Sequence, residues 1–257
     1  MGPPPAWDRR RTAIVTGAGS GIGAAIAHRL AAEGACVAAL DLHVDTAQAT
    51  ADAITTAGGT AHGYGADVAD RDSVLTAVAA VKADMGAATI LVNNAGISPF
   101  KRFLEITLDD FQRVLNVNLL GTFHCCQAVL PDMVEAGWGR IVNISSSSAQ
   151  TGNARQVHYS ASKAAVIGLT RSLAKEFGPK GVTVNTIPPG FVDTPSLREV
   201  EGAGFLGGGV DEHVPSTPVR RVGAPADLAA ACAFLVRDDA GYITGQVLGV
   251  NGGRTIV

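Results

Sequence analysis

The stretch Thr16-Gly17-Ala18-Gly19-Ser20-Gly21-Ile22-Gly23 decides the fold of this chain. A short apolar run, Ala13-Ile14-Val15, precedes it and is typical of a buried strand, and a helical pattern at 24–33 follows it. Glycines permit a tight turn and let the backbone approach a pyrophosphate, to which the N-terminus of the next helix presents free N–H groups and a partial positive charge. Strand, glycine turn and helix together predict a dinucleotide-binding unit.

An acidic residue closes the second predicted strand. Val37-Ala38-Ala39-Leu40 is a second apolar run, and Asp41 follows it. A carboxylate there can accept both ribose hydroxyls of an adenosine, and it would repel a 2′-phosphate. Positions 17–23 hold no lysine or arginine, and Leu42 and His43 follow the acid, so nothing obvious neutralises the extra phosphate of NADP. We therefore expect NAD rather than NADP; the alternative is that Asp41 is a solvated cap of the following helix.

Strand and helix patterns continue to alternate along the chain without a linker. Helices are predicted at 45–57, 70–85, 108–136 and 157–177, and strands at 62–65, 90–92, 139–144, 182–187 and 246–250. We therefore predict a single α/β Rossmann domain over residues 11–257, with a doubly wound parallel sheet of about seven strands and helices on both faces. Residues 1–10 are predicted to form an N-terminal tail.

The composition is that of a folded α/β enzyme. Hydrophobic residues make up 47% of the 257 residues and charged residues 17%, which suits a sheet covered on both faces. The net charge of −3, without a basic stripe, gives no electrostatic basis for binding nucleic acid or an anionic membrane. The four cysteines lack metal-ligand spacing, so we expect buried free thiols and no metal site. No apolar run is long enough to cross a bilayer and the N-terminus lacks a secretory signal, so we expect a cytoplasmic protein.

Tyr159 and Lys163 form a candidate acid/base pair. They stand four residues apart in a helical pattern, so both side chains should leave the same face one turn apart. An ammonium that close to a phenol favours the phenolate, and we expect the pKa of Tyr159 to be lowered toward neutrality. His158 precedes the tyrosine, but adjacent helix residues point about 100° apart. We therefore expect His158 to line the site or to be solvated rather than to act as the base.

Polar segments directly follow two later strands, at the edge where open α/β sheets bind ligands. These segments are Asn93-Asn94-Ala95-Gly96 and Ser145-Ser146-Ser147-Ser148. In the predicted helix 108–136, Asn116 and Asn118 occupy the middle, where asparagine has poor helix propensity. Their position there indicates a role other than helix formation.

In order and spacing, these motifs resemble those of the short-chain dehydrogenase/reductase family over residues 11–253. The matching segments are the TGxxxGIG turn at 16–23, NNAG at 93–96, YxxxK at 159–163 and the PG turn Pro189-Gly190. The departure is Pro188, where many members have alanine, and it affects loop stiffness more than chemistry. The resemblance implies an oxidoreductase that acts on CH–OH groups with NAD or NADP, and a secondary alcohol, a ketone or an acyl thioester as substrate.

The resemblance also implies four catalytic residues: Asn118, Ser146, Tyr159 and Lys163. Ser146 lies thirteen residues before Tyr159, the separation usual for the family's serine. Tyr159 would exchange a proton with the substrate oxygen, to which Ser146 would donate a hydrogen bond. Lys163 would hold the nicotinamide ribose and lower the pKa of Tyr159, and Asn118 would anchor a water that leads from Lys163 to solvent.

The predicted cofactor contacts come from the glycine turn, from Asp41 and from the resemblance. The resemblance places Asp67 and Val68 beside the adenine, Asn93 beside the adenosine ribose, and Val192 with Thr194 beside the nicotinamide carboxamide. The predicted set is Gly17, Gly19, Ser20, Gly21, Ile22, Gly23, Asp41, Asp67, Val68, Asn93, Ala95, Gly96, Tyr159, Lys163, Pro189, Gly190, Val192 and Thr194.

A substrate lid is predicted at about 195–218. Its glycines and interspersed apolar residues predict a mobile, partly apolar flap over a medium-sized alcohol or ketone. We expect Arg198, Arg220 and Arg221 to be solvated; the alternative is that one of them meets an acidic group such as the phosphate of a thioester cofactor.

Two other functions stay open. The first is NADPH-dependent reduction of 3-oxoacyl thioesters of acyl carrier protein or coenzyme A, although such reductases usually carry a basic residue in the glycine turn, where this chain has Ser20. The second is a catalytically silent binding protein on the same fold, although such proteins typically lose the tyrosine, lysine or serine. The family usually forms homotetramers, so we expect one here, with residues 245–253 contributing to the interface.

Overall fold

Strands and helices alternate in the computed structural model, which describes Trp7 and residues 10–205 and 209–256. The strands are β1 (Thr12–Thr16), β2 (Cys36–Asp41), β3 (Thr60–Gly65), β4 (Ala88–Asn93), β5 (Gly139–Ile144) and β6 (Val182–Ile187). The helices are α1 (Gly21–Ala32), α2 (Val44–Thr56), α3 (Arg71–Met85), α4 (Leu108–Leu115), α5 (Gly121–Glu135), α6 (Ser148–Thr151), α7 (Val157–Phe177), α8 (Pro195–Gly202) and α9 (Pro225–Leu235).

The strands form one parallel sheet in the order β3-β2-β1-β4-β5-β6. The chain runs outward from β1 to β3 and then crosses back, so that β4 lies on the other side of β1. Ligands of open α/β sheets bind at such a reversal, outside the carboxyl ends of the strands. The glycine turn follows β1 and the segment 93–96 follows β4, so the reversal brings these two segments together.

Successive residues of the central strands pack on opposite faces of the sheet. In β1, Ala13 and Val15 face the core formed with α1, α2 and α9, whereas Ile14 faces the core formed with α3, α5 and α7. Because both faces are buried, these strands read as continuous apolar runs rather than as alternating patterns. The predicted doubly wound sheet with helices on both faces is confirmed.

The predicted seventh strand, at 246–250, is irregular. It runs beside β6 and makes isolated parallel bridges, from Val247 to Thr186 and from Val250 to Pro189. Pro188 stands where the next N–H after Thr186 would donate to this segment, and proline has no N–H, so a regular ladder cannot continue there. The regular sheet of the described residues therefore has six strands.

The predicted long helix at 108–136 contains one irregular turn. Helix α4 runs into a π-helical turn (Asn116–Leu120), which runs into α5. Single π-helical turns inside helices are rare and frequently lie at functional sites. Here the turn carries Asn118, whose side chain is fully buried.

Parts of two predicted regions lie outside the described residues: 1–6, 8 and 9 of the tail, and 206–208 of the lid. Trp7, within the predicted tail, is buried and donates a hydrogen bond from Nε1 to the Val236 carbonyl at 2.8 Å. Among the residues that are described, no helix is both long and apolar enough to cross a membrane. Cys125, Cys126 and Cys232 are buried free thiols, as expected, and Cys36 is partly exposed.

Candidate active site

Side-chain hydrogen bonds fasten the glycine turn to the neighbouring strand β4. Thr16 Oγ1 accepts hydrogen bonds from the N–H groups of Asn94 and Ala95, both at 3.0 Å. Asn94 Nδ2 donates in return to the carbonyl oxygens of Thr16 at 3.0 Å and Gly17 at 3.1 Å. The first and fourth strands thus end in one connected loop pair, at the place where the strand order reverses.

The glycines of the turn are required by close backbone approach. Gly17 has φ +62°, and a Cβ there would lie 2.9 Å from Ala95 Cα. A Cβ on Gly23 would lie 2.0 Å from the Gly17 carbonyl oxygen, and one on Gly19 would lie 2.4 Å from Thr46 Oγ1. No side chain fits at these positions, which leaves the bare backbone at the N-terminus of α1 accessible to a pyrophosphate. The turn therefore fits the cofactor that the fold implies.

Asp41 ends β2 beside this turn. Its Oδ2 accepts a hydrogen bond from the Gly19 N–H at 2.9 Å, and its Oδ1 accepts one from the His43 N–H at 3.2 Å. The carboxylate is therefore held next to the glycine turn, with one edge still partly exposed. A role as a solvated cap of α2 would account for the hydrogen bond from His43. It would not account for the one from Gly19, which belongs to the glycine turn and not to α2.

Other predicted cofactor residues differ in how they face the cleft. Asn93 is buried, and its Nδ2 donates to Asn143 Oδ1 at 2.8 Å and to Cys126 Sγ at 3.3 Å, so its side chain belongs to the core and only its backbone faces the sheet edge. Asp67 is exposed and its Oδ1 accepts from the Ala69 N–H at 2.9 Å. Val68 is buried against Gly121 of α5.

The residues predicted to contact the nicotinamide side lie near the glycine turn. Thr194 caps α8 by accepting from the Leu197 N–H at 3.2 Å, and a Cβ on Gly21 would lie 3.5 Å from Thr194 Cγ2. Val192 is buried beside it. Pro189 accepts a hydrogen bond from the Ser147 N–H at 2.9 Å, which ties the proline-glycine turn to the serine segment.

Lys163 extends from α7 toward the carboxyl end of β5. Its Nζ donates to the Ile144 carbonyl at 2.9 Å, and the side chain is buried. A Cβ on Gly96 would lie 3.2 Å from Lys163 Nζ and 3.1 Å from Asn118 Oδ1, so Gly96 leaves room between these two polar groups. Burial lowers the pKa of Lys163 to about 8, because desolvation disfavours the ammonium.

Tyr159 and Ser146 line the same cavity at the carboxyl edge of the sheet. Burial raises the pKa of Tyr159, and the hydrogen bond with Ser146 offsets part of this rise. The lowered pKa that the sequence predicted for Tyr159 is therefore not observed, because desolvation of the phenolate outweighs the favourable contacts. Ser146 is itself held by the Ser148 N–H, which donates to its Oγ at 3.1 Å.

Asn118 connects the π-helical turn to the loop after β4 and to α7. Its Oδ1 accepts from the Ile97 N–H at 2.9 Å, and its Nδ2 donates to the Ile97 carbonyl and to Ser162 Oγ, both at 3.0 Å. Ser162 Oγ in turn donates to the Tyr159 carbonyl at 2.7 Å. The position of Asn118 inside a helix thus has a structural reason, since its amide orders both sides of the cleft.

His158 is neither solvated nor part of the cleft. The ring is fully buried, and burial lowers the pKa of His158. Neither ring nitrogen has a hydrogen-bond partner among the described residues. The expectation that His158 lines the site or is solvated is wrong, because the side chain turns into the protein, away from the face that carries Tyr159 and Lys163.

One cavity of about 510 Å³ is lined by part of the predicted site, whereas Asn118 and Asp41 do not line it. Ser146, Tyr159 and Lys163 line it, as do the glycine-turn residue Ile22 and the lid-side residue Thr194. The sequence interpretation did not single out several other residues of the lining, among them Phe191, His213 and Arg254. The sequence also did not predict the hydrogen bonds by which Asn94 and Ser162 hold neighbouring segments. Both residues lie inside motifs that the sequence analysis recognised, and only that position pointed to them.

Comparison with known proteins agrees with this geometry. The family model described as enoyl-(acyl carrier protein) reductase matches residues 17–255. The short-chain reductase protein NovJ of Streptomyces niveus is 46% identical over 253 residues, which cover 97% of this chain and 95% of that protein. The chain belongs to the short-chain dehydrogenase/reductase family. It is therefore an oxidoreductase that acts on CH–OH groups with a nicotinamide cofactor.

Other relatives within the short-chain dehydrogenase/reductase family carry different names. D-threitol dehydrogenase of Mycolicibacterium smegmatis is 43% identical over 246 residues, covering 96% of this chain and 93% of that protein. The 3-oxoacyl-[acyl-carrier-protein] reductase FabG of Aquifex aeolicus is 41% identical over 244 residues, covering 95% and 96% respectively. The names of these relatives span a polyol and an acyl thioester, so similarity establishes the reaction class and leaves the substrate open.

Proposed function

We propose that this chain is an NAD-dependent oxidoreductase for secondary alcohols and ketones. The observation that carries the choice of NAD is the carboxylate of Asp41, which the Gly19 N–H holds beside the glycine turn. A carboxylate in that position accepts ribose hydroxyls and repels a 2′-phosphate. The predicted cofactor contacts share the same sheet edge, which supports them as a set.

A bound nicotinamide would supply the hydride acceptor for alcohol oxidation and the hydride donor for ketone reduction. The chain's own residues manage the proton and the charge on the substrate oxygen. In the oxidative direction Tyr159 Oη takes the hydroxyl proton, and in the reductive direction it returns one. Ser146 Oγ donates a hydrogen bond to the same oxygen and to the charge that develops on it.

Lys163 and Asn118 support the proton transfer of Tyr159. With its pKa near 8, the Lys163 ammonium can lose and regain a proton close to physiological pH, which suits a group that returns protons to the tyrosine. Asn118 holds Ile97 and Ser162, and Ser162 holds the Tyr159 carbonyl, so the asparagine positions the acid/base residue. The room that Gly96 leaves between Lys163 and Asn118 is the proposed place for the relaying water.

The second candidate function is NADPH-dependent reduction of 3-oxoacyl thioesters. The observation that favours it is the similarity to FabG of Aquifex aeolicus and to the acetoacetyl-CoA reductase of Shinella zoogloeoides, which is 40% identical over 247 residues. The glycine turn weighs against it, because Ser20 takes the place of a basic side chain that would meet the 2′-phosphate.

Titration of NADH and NADPH into the wild type and Asp41→Ala, followed by nicotinamide fluorescence, tests the cofactor choice. We expect the wild type to bind NADH at least about tenfold more tightly than NADPH and the variant to lose this preference. Tighter binding of NADPH by the wild type would favour the thioester reductase. Binding of neither would favour a silent scaffold.

We also propose that the chain forms a homotetramer. Large apolar side chains are exposed on and before the α4–α5 unit, which supports an interface there: Phe103, Leu104, Leu108 and Phe123. Light scattering at several protein concentrations tests this, with a mass of four chains as the expected result and a mass of one chain as the contradiction.

A further inference from the structure

Two of the three arginines that the sequence singled out are already paired with carboxylates. The third, Arg220, is exposed, does not line the cavity and donates from Nη1 to a backbone carbonyl at 2.6 Å. Arg198 donates from Nε and Nη2 to the carboxylate of Asp193, at 2.7 and 2.9 Å, and from Nη1 to Glu201 at 2.8 Å. Arg221 makes a two-pronged pair with Asp227, at 2.6 and 2.8 Å. Both guanidinium groups are neutralised by their own surroundings, so they are poor candidates for binding a charged substrate.

Arg254 differs from Arg198 and Arg221, because its partners are uncharged. It comes from the C-terminal segment and lines the same cavity as Tyr159. Its Nη1 donates to the His213 carbonyl at 3.1 Å, to Ser216 Oγ at 2.9 Å and to Thr217 Oγ1 at 3.4 Å. Within the described part of the chain, no carboxylate forms an ion pair with Arg254. A partly buried cation therefore faces the cavity without a counter-charge.

A second polar group lies beside this cation. The ring of His213 stacks on Phe191, with 4.3 Å between centroids and 8° between planes, and the Arg254 guanidinium lies 4.6 Å from the same Phe191 ring. His213 lines the cavity, and its Nε2 is shielded from solvent and has no hydrogen-bond partner among the described residues. An unpartnered shielded nitrogen is costly unless a ligand completes it.

We propose that Arg254, with His213 beside it, binds an anionic group of the substrate. This inference rests on the proposed function, since it places the anion in the cavity that holds the acid/base residues. The guanidinium would pair with a carboxylate or phosphate, and the imidazole would supply a further hydrogen bond. The substrate class is then an oxo or hydroxy compound with an acidic group, either the free carboxylate of a small acid or the phosphate of an acyl thioester.

Binding of unreactive analogues tests this without requiring turnover. Butanoate and methyl butanoate form one charged and neutral pair, and butanoyl-CoA and butanoyl-pantetheine form another. Affinities are measured by calorimetry on the wild type, both alone and loaded with NADH. We expect the charged member of at least one pair to bind at least about tenfold more tightly than its neutral partner, the change expected for one charge-assisted hydrogen bond. A preference within the first pair identifies a carboxylate, and one confined to the second identifies a phosphate.

Variants separate recognition of the anion from support of the lid. Arg254→Gln should abolish the charged-over-neutral preference, and Arg254→Lys should keep part of it. Ser216→Ala removes a lid contact of Arg254 without removing the charge, and Arg198→Gln removes an arginine that is already paired; both should keep the preference. No preference in the wild type, or equal loss of charged and neutral ligand in Arg254→Gln, would overturn the inference.

The outcome is distinguishable from a failure of the proposed function. Tight NADH binding and turnover of neutral ketones, without any anion preference, would overturn the role of Arg254 alone. Absence of NADH binding would overturn the proposed function, while the measurements on the protein without NADH would still decide whether Arg254 recognises an anion.

Discussion

The glycine turn and the segment 195–218, the predicted substrate lid, are built in contrasting ways. The turn is fixed by backbone packing, because Cβ atoms have no room at Gly17 or Gly23, and by the bonds between Thr16 and Asn94. The lid is held by surface ion pairs and a few ring contacts, such as the stack of Phe100 on Phe205 at 5.6 Å. Surface ion pairs contribute little stability, whereas close backbone packing tolerates almost no change.

This difference separates what the family shares from what can vary. The cofactor side is closely packed and leaves no room for added atoms, so one substitution in it should abolish function. The lid side is loosely held, so its residues can change with the substrate while the fold stays intact. Two relatives illustrate a difference in substrate: they are 43% and 41% identical to this chain over nearly its whole length, and their names give a polyol and an acyl thioester.

The largest effect is expected for an alanine in the turn. A Cβ on Gly23 would overlap the Gly17 carbonyl oxygen at 2.0 Å, so the backbone would have to move away from the pyrophosphate site. Gly23→Ala should weaken NADH binding by at least about a hundredfold, because misplacement by about 1 Å has effects of that size. Gly202→Ala in α8 is the matched control, since a Cβ there meets nothing within 4 Å. Equal NADH affinity for the two variants in a fluorescence titration would show that the turn tolerates an added Cβ as well as the lid does.

Asn118→Ala should have the next largest effect. It leaves the N–H and carbonyl of Ile97 without their partner and removes the donor to Ser162 Oγ, and it should lower the free energy of unfolding by about 2–4 kcal/mol. Asn116→Ala, in the same π-helical turn, removes a surface bond with Gln112 and should change it by less than about 1 kcal/mol. Urea unfolding of both variants measures the difference. Equal losses would show that the buried asparagine does not order the cleft.

Lys163 gives a smaller, pH-dependent effect. Its folded pKa of about 8 lies below the ordinary value of 10.5, so the unfolded chain binds more protons between these pH values, and stability rises with pH across that range. Relative to Lys163→Met, which lacks the titrating group, the wild type should gain about 1–2 kcal/mol in free energy of unfolding between pH 7 and pH 9.5. Urea unfolding at the two pH values checks this. A gain of zero, or a loss, would mean that the ammonium is not destabilised by burial.

The smallest effect is expected in the lid. Arg198→Gln removes exposed ion pairs with Asp193 and Glu201, and the urea midpoint should stay unchanged because solvent screens such pairs. Raising the salt concentration should likewise leave the difference between the urea midpoints of the wild type and the variant unchanged. A large drop in the midpoint would show that the lid is integral to the fold rather than attached to it.

The sequence predicted the regular elements well where local patterns suffice. The strands at 139–144 and 182–187 and the helix at 157–177 have the predicted bounds. Local patterns could not predict the π-helical turn at Asn118, which depends on bonds to Ile97 and Ser162 from other elements. Nor could they predict the break in the seventh strand, which arises because Pro188 cannot donate to the ladder.

The candidate site divides in the same way. Tyr159, Ser146 and Lys163 lie in motifs with fixed spacing, and all three line one cavity. Arg254 was missed because nothing around it in the chain marks it, and its partners His213 and Ser216 are about forty residues away. The pKa of Tyr159 was predicted in the wrong direction, since its burial could not be read from spacing.

The most direct test of the account compares binding with turnover in Tyr159→Phe. The substitution keeps the ring and removes the proton-carrying hydroxyl, and Ser146→Ala serves as the companion variant that removes its hydrogen-bond partner. NADH affinity should stay within about twofold of the wild type while kcat for a secondary alcohol falls at least about a hundredfold, the size of a general acid/base contribution. Turnover within about tenfold of the wild type, with NADH binding intact, would contradict the assignment of Tyr159 as the proton-transfer residue.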